Sequence, residues 1–348
     1  MRRAALIVLI TAVYVGCARK PPSEPAVPPV TEPLRGGTLR LALSTAELNA
    51  LARYGLVANT GAEAAFVADR IDRWRRLAPS TLLDHVEFVS DDKIPRVELL
   101  LLGEVDLTPV YGRELARVRE DAGDEIRVVR APGWDRTYVI HCDTRSRWTN
   151  DPNFRRWFAE TVDRVDLVGG LFDGFAAPVW SIQPRSTGPL WAPPIRHPFG
   201  STSRPLLHLK FESDDVPAAA IASRLKARFA AEGVELELLT STDRVERPAL
   251  TLSGRQRWSA DPVATIEPLV VAAGGAAEGS RHYLGQAKSV SGETRTNLAT
   301  LAEDALLIDA LVVPLVRLEA WVAMSSRLRG VGPGLTGELA LEKTWWGR

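Results

Sequence analysis

Apolar and polar positions follow two rhythms along this chain, alternation by two and recurrence at three to four, and the rhythms take turns. Leu39, Leu41 and Leu43 alternate with smaller or polar residues after Gly36-Gly37, which predicts a strand. Ala62 to Leu77 reads as a basic-flanked helix. Asp91-Asp92 ahead of Pro95 predicts a helix start, Val97, Leu100 and Leu101 supply its apolar face, and Gly103 predicts its stop. Glu104 to Leu107 leads into a second strand, and the apolar run Tyr138 to Cys142 reads as a buried one. Asn150-Asp151-Pro152 opens the clearest helix. Phe154, Trp157, Phe158, Thr161, Val162 and Val165 fall on one side, with Arg155, Arg156, Glu160, Asp163 and Arg164 on the other, and Gly169-Gly170 predicts its end.

The stretch Leu206 to Leu239 has the pattern of a βαβ unit. Leu207, Leu209 and Phe211 alternate, Asp214-Asp215 and Pro217 mark a helix start, and Ile221, Leu225 and Phe229 step by four. Gly233 then stops the helix before Val234, Leu236 and Leu238 alternate again. Two parallel strands joined through a helix require a crossover, which places the chain in the α/β class with a sheet covered on its faces. Leu298 to Ile308 reads as a helix, and Leu311 to Leu315 as a strand closed by Pro314. Trp345 and Trp346 near the end read as cover for a core.

Composition narrows the function classes. The 348 residues carry 43 basic and 43 acidic side chains, so no global positive charge argues for nucleic acid. Charged residues at 25% are too many for a multi-span membrane protein, and hydrophobic ones at 45% too many for a disordered chain. Two cysteines cannot build a disulfide scaffold, and five scattered histidines argue against a structural metal site. At this length the core needs neither.

The N-terminus reads as an address. Met1-Arg2-Arg3 is basic and Ala4 to Gly16 nearly all apolar, about thirteen residues that span roughly 20 Å as helix against a ~30 Å hydrocarbon core. A cleaved export signal is the stronger reading than a spanning anchor. Val15-Gly16-Cys17 resembles a bacterial lipobox, which makes Cys17 the lipidated first residue and leaves Cys142 as the only other thiol. The proline-dense segment 18–33 reads as an extended tether behind that anchor.

Rival chemistries fail on spacing. Gly332-Pro333-Gly334-Leu335-Thr336-Gly337 fits G-x-G-x-x-G but has no following helix–sheet unit and no acidic residue about twenty positions on, so it reads as a flexible turn. No phosphate-binding G-x-x-x-x-G-K-[ST] occurs, so the chain does not hydrolyse ATP. His141-Cys142-Asp143 is contiguous, and strand neighbours face opposite ways, which rules out a catalytic relay. No nucleophile–base pair, cofactor motif or metal-ligand spacing emerges, and the chain does not read as an enzyme.

Several segments, in order, resemble the family 5 solute-binding proteins of ABC importers, the oligopeptide, dipeptide and nickel group. These are Gly36 to Leu43; Leu101 to Leu107 with its Gly103-Glu104-Val105-Asp106; Tyr138 to Asp143; Asp151 to Trp157 with Thr161 to Arg164; Gly174 to Pro178; Trp258-Ser259-Ala260-Asp261-Pro262; and Val312-Val313-Pro314-Leu315. The resemblance implies a two-lobed periplasmic-binding-protein type II-like α/β fold with two hinge strands, near Tyr138–Cys142 and Leu311–Leu315. Lobe one covers 34–137 plus 316–348, and lobe two 138–315 with the hinge strands, after a signal peptide (1–16) and tether (17–33). The stretch between Leu43 and Asp106 is too short for the family's extra subdomain, so lobe one is expected to lack it.

The resemblance also implies a lipid-anchored binding protein in the periplasm or cell envelope, monomeric. It passes a small peptide or similar polar solute to an ABC permease driven by a separate ATPase. Asp261 takes the family position that pairs with a ligand ammonium; Trp258 offers a stacking face, and Arg257 and Tyr138 complete the expected ligand-binding set. Arg255 and Arg257 can meet a carboxylate through a bidentate fork, although a solvated strand face is the plainer reading of both. Asp261 before Pro262 likewise fits a helix cap. The competing functional reading keeps the scaffold but loses transport, leaving an envelope lipoprotein that docks a protein partner.

Overall fold

The computed structural model describes residues 37–42, 85–89, 94–131, 135–183, 189–191, 193, 205–212, 215–240, 243, 248–256, 261–333, 339–340 and 345–347. The expected helix at Ala62–Leu77 and the segment around Cys17 lie outside them. The first elements are β1 (Thr38–Ala42), β2 (His85–Val89), α1 (Arg96–Leu101), β3 (Leu107–Tyr111), α2 (Arg113–Asp121) and β4 (Ile126–Arg130). They join β11 (Ala320–Ser325) in a five-stranded sheet of order β2-β1-β3-β11-β4. β1 runs parallel to β2 and β3, and β11 antiparallel to β3 and β4. One face of this sheet packs Val110 and Ala323 against Val97, Leu100, Leu115 and Val118 of α1 and α2. Asp106, at the entry to β3, pins β1: its carboxylate accepts the Arg40 main-chain N–H at 2.8 Å and the Arg40 guanidinium at 2.9 Å.

The second sheet has order β6-β10-β5-β9-β7-β8. It is built from β5 (Arg136–Cys142), β6 (Ala176–Pro178), β7 (Leu206–Phe211), β8 (Glu235–Thr240), β9 (Leu250–Gln256) and β10 (Val312–Leu318). The βαβ unit forms as the pattern predicts, with α5 (Val216–Ala231) between the parallel β7 and β8. Helices cover both faces. Tyr138, Ile140, Leu252, Leu207 and Leu209 meet α3 (Pro152–Thr161), α4 (Arg164–Phe172) and α5, where Phe158 stacks on Phe229 with centroids 4.4 Å apart. On the other face Val139 and Val312 meet α6 (Pro262–Ala273), α7 (Glu278–Lys288) and α8 (Gly292–Ile308).

Four local expectations are corrected. The helix predicted from Asp151 to Gly169-Gly170 is two helices. Val162 and Asp163 leave helical geometry, Asp163 caps α4 through the Asp166 N–H at 2.9 Å, and the end comes at Asp173, in the left-handed conformation. Arg155 and Arg164, expected on the solvated side, are buried. Arg155 donates to the carbonyls of Thr149, Asn150 and Asp309. Arg164 donates to those of Ala159, Val162, Val179 and Pro314, three of which end or interrupt an element. Burial lowers the Arg164 pKa to about 10, so the guanidinium remains charged at neutral pH. Pro314 does not close its strand: β10 continues to Leu318 through a register shift between Pro314 and Val316. The α1 helix starts at Arg96 with Pro95 in the cap position, not at Asp91-Asp92.

Alternation along β5 holds as expected. Cys142 faces the α3–α5 side, where burial pushes its thiol up to about 12, while His141 faces the α6–α8 side. The Trp346 ring lies 3.1 Å from where a Cβ on Gly37 would stand, at a φ of +101° that itself favours glycine, so the last strand closes over the first.

Two predictions follow from these buried groups. Replacing Arg164 by Met strands four carbonyl oxygens and should lower the unfolding free energy by about 3 kcal/mol or more, with Arg164→Lys recovering only part because an ammonium cannot span all four; denaturant melts that match the parent would overturn this. His141 has a pKa near 3 against an ordinary 6.5, because burial and the nearby Arg255 charge oppose protonation. The unfolded chain takes up a proton below 6.5 that the folded ring refuses until about 3. Stability should therefore be lost as pH falls through that window, by up to ~1.4 kcal/mol per pH unit from this group. His141→Leu should flatten the slope between pH 6.5 and 4; an unchanged slope would clear His141.

Candidate functional site

The two sheets are joined where β5 and β10 run side by side. These strands pair antiparallel from Val312↔His141 to Leu318↔Arg136. At one end of the pair both chains pass to the first sheet: β4 leads into β5 through residues 131–135, and β10 leads into β11 through Glu319 alone. Side chains tie the crossing. Asp135 accepts the Ala320 N–H at 2.9 Å and an Arg130 N–H at 2.7 Å, Arg130 also reaches the Ala320 carbonyl at 2.6 Å, and the Ala131 N–H donates to that same oxygen at 3.0 Å.

The α6–α8 face of the second sheet is polar at this end. Directly opposed residues of antiparallel strands share a face, so Arg255, Thr137 and Arg317 form a row across β9, β5 and β10. Arg317 donates to the Thr137 hydroxyl at 3.2 Å and to the Ile182 carbonyl at 2.9 Å. Arg255 is half-buried, and its Nε–H has no acceptor. One row deeper, the Ser253 hydroxyl is buried without a partner, and beyond it both ring nitrogens of His141 are as well. The Gln183 side-chain nitrogen, next in sequence to Ile182, is also buried and unbonded.

Asp261 stands at the start of α6, five residues past the end of β9. Its carboxylate caps α6 through the Val263 N–H at 3.1 Å and receives a bidentate fork from Arg295, at 3.0 and 2.6 Å. The cap reading and a charge partner therefore coexist. Nothing local in the sequence ties Arg295 to a residue 34 positions earlier. Tyr138 lies on the opposite face, fully buried, with its hydroxyl donating to Asp215 at 2.8 Å. Gly254 makes room for it: a Cβ there would stand 3.0 Å from the Tyr138 ring and 2.4 Å from the Arg136 Nε. Trp258 and Arg257 lie outside the described residues. Thr137, Ser253 and Arg317 went unnoticed, although alternation from Tyr138 and Arg255 places the first two on one face.

A groove of about 420 Å³ lies elsewhere, between α6 and α7, lined by residues that include Glu267, Val270, Arg281, Leu284 and Lys288. Its charges answer one another, Lys288 to Glu267 and Arg281 to the Gly275 carbonyl, so it presents no unmet chemistry. Among the described residues no group of three or more His, Cys, Asp or Glu side chains could hold a metal, and no helix is long and apolar enough to cross a membrane.

No protein-family model matches the chain, and no curated relative does. Solved structures do. The ABC-transporter-associated periplasmic binding protein DppA from Helicobacter pylori, in complex with the peptide STSA, matches with a TM-score of 0.60 at 17% identity, over 78% of this chain and 58% of its own. NikZ from Campylobacter jejuni, in complex with Ni(L-His), matches at 0.59 and 14%, over 75% and 61%. The ABC transporter substrate-binding protein CtaP from Listeria monocytogenes matches at 0.58 and 15%, over 76% and 61%. The chain thus spans about three-fifths of the length of each. Its fold is that of the ABC-transporter substrate-binding proteins, the periplasmic-binding-protein type II-like α/β architecture, in a shortened form.

Proposed function

We propose that the chain is an extracytoplasmic solute-binding protein of an ABC importer, not an enzyme. It holds a small peptide or similar polar solute between two lobes that divide near the β5–β10 pair. The observation that carries this reading is the double crossing. Two adjacent strands joining two separate sheets are the arrangement that permits hinge closure on a ligand, with the closed state selected by binding. The fold likeness to DppA, NikZ and CtaP supports it. In this reading Cys17 carries a lipid that holds the protein at the membrane of the periplasm or cell envelope, monomeric. A permease and a separate ATPase complete the importer.

The second reading, a binding-protein scaffold that docks a protein partner without transport, draws support from Arg295. Its guanidinium already occupies the Asp261 carboxylate where a ligand ammonium would sit.

Calorimetric titration of the full chain with di- to tetrapeptides separates the two. Transport predicts saturable heat; no heat at millimolar peptide, from protein that melts cooperatively, would defeat it. Within the transport reading, Asp261→Asn keeps the α6 cap but removes the charge. It should weaken dialanine binding by about 2–5 kcal/mol if Asp261 takes the ammonium. Equal affinity in parent and variant would remove Asp261 from the ligand site.

A further inference from the structure

The charges near the crossing are unevenly spent. Every acid described there is committed: Asp135 to Arg130 and the Ala320 N–H, Asp261 to Arg295 and the α6 cap. Buried Glu303 accepts the Ile182 and Gln183 N–H groups at 2.6 and 3.2 Å, and Asp215 binds the Tyr138 hydroxyl and, at 3.2 Å, the Arg136 guanidinium. The groups left over are donors. Arg255 forms no hydrogen bond or ion pair with any described residue, and its buried Nε–H and the Ser253 hydroxyl, two positions away on the same face of β9, lack acceptors. Buried donors left unbonded oppose folding, and native chains rarely keep several together without something to satisfy them. What satisfies a guanidinium and a hydroxyl at once is a group rich in acceptor oxygens. The planar fork of arginine matches a carboxylate best.

We infer that the β9–β5–β10 face takes a small organic carboxylate, received by Arg255 in the row that Thr137 and Arg317 complete and by Ser253 one row deeper. This rests on the solute-binding reading and specifies it: the recognised charge is negative, and no ammonium on the ligand is needed because Arg295 already neutralises Asp261. Recognition by Arg255 also accounts for a half-buried cation in the middle of a sheet otherwise covered by the apolar faces of α6 and α8.

The test is calorimetry on the full chain with succinate, its uncharged analogue succinamide, and dialanine. The expected result is that succinate binds and succinamide does not. Succinate affinity should fall roughly 30-fold or more in Arg255→Gln, and less in Ser253→Ala. Succinate binding no tighter than succinamide, or undiminished in Arg255→Gln, would overturn the assignment. Should Arg255→Gln fail to melt cooperatively, Ser253→Ala and the succinate–succinamide comparison decide alone. Dialanine binding with succinate silent would remove the carboxylate assignment and leave the solute-binding reading standing; silence toward both would remove both.

Discussion

Two paired strands of one sheet must carry both chain crossings to the other, and that requirement organises the molecule. β5 sits between β9 and β10 with six of its seven residues buried, and β10 lies between β5 and β6. Their ladder is where backbone groups are hardest to leave unpaired, because no water reaches them. Yet the β10 sequence puts a proline there. Pro314 has no N–H to give, and the register shifts beside it. The gap is answered from outside the ladder: Arg164 supplies an N–H to the Pro314 carbonyl at 2.9 Å, and Val179 supplies one to Leu315 at 3.1 Å. The buried arginine is thus the part of the α3–α4 break that repairs the bulge in the strand that leads on into the first sheet.

The net charge of zero hides how the charges are used. Several arginines do not pair with carboxylates at all but collect carbonyl oxygens at the ends of elements, as Arg155 and Arg164 do. A guanidinium suits this work because five donors in one plane can serve several acceptors while the charge stays spread. Desolvating it costs free energy, which is visible in the lowered pKa of both. The return is that carbonyls at these chain breaks, among them those of Asn150, Val162 and Asp309, are bonded. Arg295 is the contrasting case, an arginine on a carboxylate, half in solvent, where the pair fixes the start of α6 against α8.

Much of this was legible in the sequence. The βαβ unit, the β5 run and the helix opening at Asp151-Pro152 all appear where periodicity and capping residues put them, because those signals are local. The failures share a cause. Arg155 and Arg164 fall on the polar side of a helical pattern, and only the tertiary position of carbonyls up to 154 residues away brings them inside. The break at Val162-Asp163 looks like helix continuation until Asp163 is seen to cap a second helix. The candidate site divides in the same way. Alternation suffices to set His141 and Cys142 on opposite faces, but not to say which face looks toward the crossing, so Tyr138 falls on the core side and Thr137 on the polar one.

The two connections at the crossing are unequal, and this bears on how the sheets can move. Between β10 and β11 only Glu319 intervenes, whereas residues 131–135 separate β4 from β5. One residue can change direction only by its own φ and ψ, so rotation of one sheet against the other must pivot close to Glu319, with the longer connection following. The bonds there are placed to permit it. The Ala320 carbonyl gathers N–H groups from Ala131 and Arg130, and Asp135 holds the Ala320 N–H, so both connections are tied to the backbone of one residue. Bonds close to a pivot lengthen least when the bodies beyond it turn. A clamp at this point keeps the two crossings together without fixing the angle between the sheets, which distinguishes a hinge from a weld.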